Sequence, residues 1–312
     1  MADLGIGVIG VGRIGAMHAR LLSGQVAGAR VTAVNDALPE AAHTLSEELG
    51  VRVADSTEAL LALPAVDAVA ICSSTETHAP LIEAAAEAGK AIFCEKPVSH
   101  DLVEVDRALD AVASGQVGEP HLVRITSRDP YPPPPTYVRA SGGIFLDMTI
   151  HDFDMARYVT GSEVVEVYAR GAVRIDPSFA DAGDVDTALV ILEHEDGCLT
   201  TIDNSRQAAY GYDQRVEVFG SGGMAASENP LRHTGIARTA EGTHAPPLPD
   251  FFLERYIPSY IREWEAFVAA VSSGEAPPVG VVDARAPLVI GLAAARSLHD
   301  GRPVRVEEVV AA

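Results

Sequence analysis

The sequence predicts an α/β fold: a doubly wound parallel sheet first, then an α+β domain with an open, mainly antiparallel sheet. Three observations carry this. Over the first hundred residues, short runs that are apolar throughout alternate with helical segments, the pattern of a parallel sheet covered on both faces. Near His121 the pattern changes to period-two runs joined by tight turns. The 312 residues suffice for two ordinary domains of roughly 100–200 residues each.

The first strands are predicted at Gly5–Gly10, Ala29–Asn35, Val51–Ala54, Ala68–Cys72 and Ala91–Cys94. Between them Ile14–Gln25, Pro39–Leu49, Thr57–Ala62 and His78–Ala88 have helical spacing or helix-rich composition. In the second half a helix at Asp147–Val159 precedes strands at Glu163–Val173, Thr187–Glu193, Cys198–Asn204 and Arg215–Gly220. The turns Glu195-Asp196-Gly197 and Gly220-Ser221-Gly222-Gly223 suggest an antiparallel meander. Helices near Tyr256–Ser273 and Asp283–Asp300 close the chain. The expected division is residues 1–119 and 120–312, with the closing helices able to pack back on the first domain. An open sheet needs cover on one face, so a homo-oligomer, dimer or tetramer, is expected. The Pro-rich stretch Asp129–Thr136 is open to two readings, a linker or a stiff loop beside the site.

Composition narrows the function. The chain carries 44 acidic against 23 Lys and Arg residues, a formal charge of −21. Nucleic acid demands a basic footprint, and anionic membrane surfaces attract one. Both partners are therefore excluded. No apolar run approaches the roughly 18 residues of a membrane span, and the apolar start is too short for a signal peptide. Cys72, Cys94 and Cys198 form no paired or metal spacing. A cytoplasmic protein is expected.

The motif Gly10-Val-Gly-Arg-Ile-Gly15 follows an apolar strand and opens a helix. In that context Gly10 permits the tight turn, Gly12 lets backbone approach a pyrophosphate, and Gly15 lets helix and strand pack closely. The helix N-terminus, with Arg13 and Ile14 in its first turn, offers N–H groups to the phosphates. Asp36 ends the second strand at the spacing where a carboxylate binds ribose hydroxyls and repels a 2′-phosphate, which favours NAD. Ser73, Ser74, Thr75 and His78 follow the fourth strand, at the sheet's carboxyl edge where ligands bind. Thr75 and Thr77 also suit helix N-capping. Glu95-Lys96-Pro97 ends the fifth strand and points Lys96 toward the same crevice. Asp147 and His151, four apart, fall on one helix face, where a carboxylate orients an imidazole that moves protons. No third ligand supports a metal there.

Together these motifs resemble the Gfo/Idh/MocA family of oxidoreductases. The stretches Ser141–Ala156 and Thr126-Ser-Arg-Asp-Pro130 look like its inositol 2-dehydrogenase branch. The resemblance implies a Rossmann domain binding NAD, and a catalytic triad of Lys96, Asp147 and His151. It implies hydride transfer from a cyclic polyol, myo-inositol foremost, to nicotinamide. His151, or the Lys96–His151 pair, takes the hydroxyl proton. Glu95 and Lys96 join the cofactor site. Arg128, Asp154, Tyr210 and Tyr212 join Lys96, Asp147 and His151 around the polyol, although the tyrosines equally suit aromatic packing in a loop.

One departure stands out. A doubly wound domain of this kind carries a sixth strand. Here the helical segment Leu102–Ala113 runs through Ser114–Pro120 directly into the second domain. The resemblance implies a missing segment of roughly 25–30 residues, about one βα unit. In relatives it places an Asn-x-Arg or Met-x-Arg turn beside the nicotinamide. Two readings follow, an active dehydrogenase of inositol or of another sugar or polyol, and an impaired NAD-binding relative.

Overall fold

The computed structural model describes residues 3–74, 77–95 and 117–310. The chain forms two compact units, Met1–Lys96 with Pro258–Gly280 and Pro97–Ile257 with Val281–Ala312.

The first unit holds β1 (Leu4–Ile9), β2 (Ala29–Asn35), β3 (Arg52–Val53), β4 (Ala68–Ile71) and β5 (Ala91–Cys94), in the order β3-β2-β1-β4-β5. All neighbours pair parallel. The predicted strands are present, each with ends within one residue. Helices α1 (Arg13–Gly24), α2 (Pro39–Leu49), α3 (Thr57–Leu61) and α4 (His78–Glu87) connect them. Pro39 opens α2, where its missing N–H costs nothing, and Ser56 caps α3 by accepting from Ala59 N–H at 3.1 Å. Ile9, Leu60, Val69 and Ile71 are buried in one core. The strand order reverses between β1 and β4, so Gly10 and Ser73 lie at a topological switch point. The sheet has five strands among the described residues; the predicted helix Leu102–Ala113 lies outside them. A helix at Ile257–Ser273 supplies Trp264, fully buried and stacked on Phe93 with ring centroids 4.1 Å apart.

The second unit is built on a seven-stranded sheet. Its strands are β6 (Pro120–Arg128), β7 (Val164–Ala172), β8 (Thr187–His194), β9 (Leu199–Ser205), β10 (Asp213–Gly220), β11 (Gly223–Ser227) and β14 (Val304–Arg305). Strands β12 (Ala237–Thr239) and β13 (Gly242–His244) form a separate hairpin. The order is β11-β10-β6-β9-β8-β7-β14, which corrects the simple meander. Strands β7, β8 and β9 do form one, but β6 inserts between β9 and β10 and runs parallel to β9. The connection 206–212 is too long for a tight hairpin, and β6, with Val123 and Ile125 buried, fills the gap it leaves.

The helix predicted at Asp147–Val159 is also corrected. It is two helices, Ile144–Asp147 and α7 (Thr149–Thr160), broken at Met148. At the break Met148 stands at φ −105° and ψ −61°, away from the ideal helix values of about −63° and −42°. The Pro-rich stretch leads into a helix at Pro135–Ala140 inside this unit, so it is a loop and not a linker.

Inward residues Val123, Ile125, Val190 and Ile202 pack with Phe153 of α7 and Ile290 of the helix at Val281–Asp300. The opposite face is apolar and exposed. Register sets Met224 beside Phe219, Phe219 beside Leu122 and Leu122 beside Leu199, with Leu189 and Ile191 further along. Among the described residues no helix is long and apolar enough to cross a membrane.

Candidate active site

The glycine loop has the shape its sequence implies. Gly10 sits at φ +84°, and a Cβ there would lie 2.6 Å from Ser73 N. A Cβ on Gly15 would lie 1.9 Å from the Gly10 carbonyl oxygen. A Cβ on Gly12 would meet nothing within 4 Å. The first and third glycines are thus demanded by the protein itself, while the second faces open space at the start of α1. A pyrophosphate fits there, against N–H groups of the first turn bearing exposed Arg13 and half-buried Ile14. Asp36 accepts from Val11 N–H at 2.6 Å and from Leu38 N–H at 2.8 Å, one bond to each oxygen. A carboxylate oxygen has further lone pairs, so both remain able to accept ribose hydroxyls. These residues fit NAD. Asp36→Ala is expected to weaken NAD by about 1–3 kcal/mol, for lost charge-assisted bonds, and to erode its advantage over NADP. Calorimetry checks this, and equal affinities of the parent chain for the two cofactors would count against the assignment.

Beyond β4, the Ser73 and Thr77 hydroxyls lie 2.6 Å apart, and Thr77 donates to Ser74 O at 2.7 Å. Thr77 therefore makes no side-chain cap to α4. His78 is buried, with Nε2 3.0 Å from Ser73 O, so it shapes the loop. Thr75 and Lys96 lie outside the described residues. Glu95 is tied inward. Trp264 Nε1–H donates to Nδ1 of fully buried His18 at 2.8 Å, and His18 Nε2 lies 2.7 Å from Glu95 Oε1. Indole only donates, so Nδ1 is bare and Nε2–H donates to Glu95. Burial, then the charge of Glu95, pushes Glu263 up to about 8.

In the second unit, Asp147 is gripped from two sides. Tyr137 Oη donates to its Oδ1 at 2.7 Å, and Arg206 Nη2 to its Oδ2 at 2.7 Å. Arg206 is buried and also reaches Asp129 at 3.3 Å. Burial pushes Asp129 up to about 6, against the pull of Arg206 and with the charge of Asp147 adding to the rise. His151 lies in the first turn of α7, just past the break. Beside it is a recess of about 40 Å³ lined by Ser127, Asp152, Gln214 and Arg255, room for a water or two and too small for a polyol.

The remaining predicted residues divide. Arg128 binds Asp203 at 2.6 Å and donates to Tyr210 Oη at 2.8 Å, so Arg128 and half-exposed Tyr210 form one cluster. Tyr212 is buried, edge-on to Tyr256 at 5.9 Å, which is the aromatic packing its loop allowed. Asp154 pairs with Arg157 at 3.3 Å, and burial raises it to about 6. Sequence reasoning missed Arg206 and Tyr137 as partners of Asp147, and the inward polar residues Ser127 and Asn204. The last two carried a signal, being polar at positions where strand alternation calls for apolar side chains.

Residues 4–118 match the model of an oxidoreductase family with an NAD-binding Rossmann fold, and residues 105–226 match the GFO/IDH/MocA C-terminal domain. The chain is 46% identical to a myo-inositol 2-dehydrogenase of Thermotoga maritima, over 98% of this chain and 99% of the relative. It is 45% identical to an inositol 2-dehydrogenase of Rhizobium meliloti, over 96% and 98%. A solved structure of a probable dehydrogenase from Thermotoga maritima superposes with a TM-score of 0.93 at 46% identity, covering 98% of this chain and all of that one. The first of these alignments extends over 332 residues against the 312 of this chain, so the relative carries residues without counterpart here. On the glycine loop, the Asp147–His151 segment and these matches, the chain belongs to the GFO/IDH/MocA family of NAD-binding oxidoreductases.

Proposed function

We propose that the protein oxidises a cyclic polyol, myo-inositol foremost, to the corresponding inosose. The observation that carries this is the Asp129–Arg206–Asp147 array, a buried guanidinium between two partly exposed carboxylates, closed by Tyr137, immediately before His151. It fixes charged acceptors and donors where a ring bearing many hydroxyls needs them. The two relatives named above, both inositol 2-dehydrogenases, support the same substrate class. NAD, when bound, supplies the hydride acceptor at nicotinamide C4. His151 takes the proton of the reacting hydroxyl as the carbon-bound hydride leaves, which yields the ketone. Asp147 orients the substrate and His151, and Lys96 hydrogen-bonds the reacting oxygen. The test is NADH formation over a panel of myo-inositol, scyllo-inositol and aldoses. Turnover of glucose with none of the inositols would move the protein to another substrate class.

A second reading has its own observation. The parallel sheet has five strands among the described residues, and the Thermotoga relative aligns over more residues than this chain has. Without the extra βα unit the nicotinamide half of NAD loses a wall, while Gly10–Gly15 and Asp36 still hold the adenosine half. In that case NAD binds but kcat falls below the usual 1–10³ s⁻¹. The same panel, run beside calorimetry with NAD, separates the two readings.

The exposed row Met224, Phe219, Leu122 and Leu199 supports a homo-oligomer, dimer or tetramer, in which this sheet face is covered by a second copy. Phe219→Glu is expected to dissociate it, as read by light scattering on a sizing column. A monomeric parent would refute the assembly. A cytoplasmic location is in keeping with three free cysteines.

A further inference from the structure

We propose that Asp152 is a positioning residue for the proton-transfer step, a protonated carboxyl that clamps the first turn of α7, and His151 with it, across the two central strands of the open sheet. The inference rests on the reading of His151 as proton acceptor.

Ser127 of β6 and Asn204 of β9 are register partners in the parallel pair, and both point inward. Asp152 spans them, Oδ1 lying 2.5 Å from Ser127 Oγ while Oδ2 accepts from Asn204 Nδ2 at 2.7 Å. One turn earlier, Thr149 donates to Asn204 Oδ1 at 2.7 Å. All four residues are buried, Asp152 at 4% exposure. The turn bearing His151 is thus fastened to the sheet on both sides of that residue.

Counting hydrogens narrows the protonation state to two. Ser127 Oγ has one proton and faces two oxygens, Asp152 Oδ1 and Gln214 Oε1, the latter at 2.8 Å. Either Gln214 turns its amide NH2 toward Ser127, which then donates to an ionised Asp152, or the Asp152 carboxyl holds the proton of that contact. Burial of the carboxyl between the helix and the sheet favours the second. Burial pushes Asp152 up to about 7. Its bonds to Ser127 and Asn204 oppose the rise, and the charges of Asp203 and Asp129 add to it. The other charged groups around it are Arg128 of β6, Arg215 of β10, Arg255 before the helix at Ile257–Ser273, and His151 itself. Arg215, Arg255 and His151 line the same recess.

The consequence for the reaction is direct. When His151 gains the substrate proton, the Asp152 carboxyl can release its own to a water of the recess that both residues line, and the carboxylate then stabilises the imidazolium. A neutral amide at position 152 keeps the clamp but cannot respond. A folded carboxyl raised above its unfolded value adds stability at low pH, lost as pH rises through about 7.

The experiment compares the full-length parent with Asp152→Asn, Asp152→Leu and His151→Ala, in myo-inositol oxidation across about pH 5–9 and in thermal melts over the same range. Asp152→Leu, which loses the clamp, is expected to lower kcat roughly 10- to 100-fold, the cost of misplacing a reacting group. Asn restores most of that loss, but the acid limb of kcat/KM moves to lower pH and the stability loss between about pH 5 and 7 becomes smaller, the share of Asp129, Asp154 and Glu263 remaining. An unchanged acid limb together with a parental melting profile in Asp152→Asn overturns the proposal. So does parental kcat in Asp152→Leu. Full turnover in His151→Ala defeats the proton-acceptor reading instead, and the melting comparison still decides whether Asp152 is protonated.

Discussion

His151→Ala is expected to lower kcat by about 10²–10⁴, the usual worth of a positioned acid–base group. Alkoxide formation at neutral pH is steeply uphill without a base. Among the described residues near Asp147, His151 is the side chain best suited to take a proton near pH 7. Affinity for NAD should survive, because Gly10, Gly12, Gly15 and Asp36 belong to the other compact unit. The discriminating result is therefore a fall in kcat with an unchanged NAD dissociation constant. A variant that turns over at the parental rate would remove His151 from the mechanism. One that has also lost NAD would show a folding defect.

Arg206→Met is expected to cost about 3–5 kcal/mol of stability, the typical penalty for stripping a buried charge of its partner. The side chain is only 5% exposed and serves two carboxylates, Asp147 at 2.7 Å and Asp129 at 3.3 Å. Methionine fills the volume and supplies no donor, so two acidic groups face each other with Tyr137 as the remaining donor to Asp147. Their repulsion raises the carboxyl affinities for protons, and part of the lost stability should return on acidification. Urea titrations at about pH 5 and pH 8 read both effects. A loss below 1 kcal/mol at the higher pH would mean that water reaches the array and screens it.

The first unit was legible because its strands are apolar throughout and its glycines are demanded by close contacts that leave a trace in sequence. Gly15 against the Gly10 carbonyl is a local event within one turn and one strand end. The Asp147–His151 interval is plain in the sequence, but what holds Asp147 is not. Asp147 takes its partner from Arg206, 59 residues away, and no periodicity announces that distance. The four-residue interval to His151 suggested one continuous helix, and the backbone breaks at Met148 between the two residues. Strand β14 has two residues, too short for any alternation to register. The place of β6 was hidden for a different reason. Which strands become neighbours is settled by long-range packing, and sequence order favours adjacent pairs.

That placement of β6 has a kinetic consequence. Leu122 pairs with Leu199 on one side and Phe219 on the other, so at 5–20 residues per second β6 leaves the ribosome roughly 4–15 s before its first neighbour exists. Strands β7, β8 and β9 are joined in sequence and can zip as they emerge, whereas β6 closes two long loops at once and must enter last. In refolding with pulsed hydrogen exchange, amides of β7–β9 should gain protection before those of β6. Until β6 docks, Val123 and Ile125 are exposed on a strand with two open edges, and the partly made chain is most prone to aggregate in that interval.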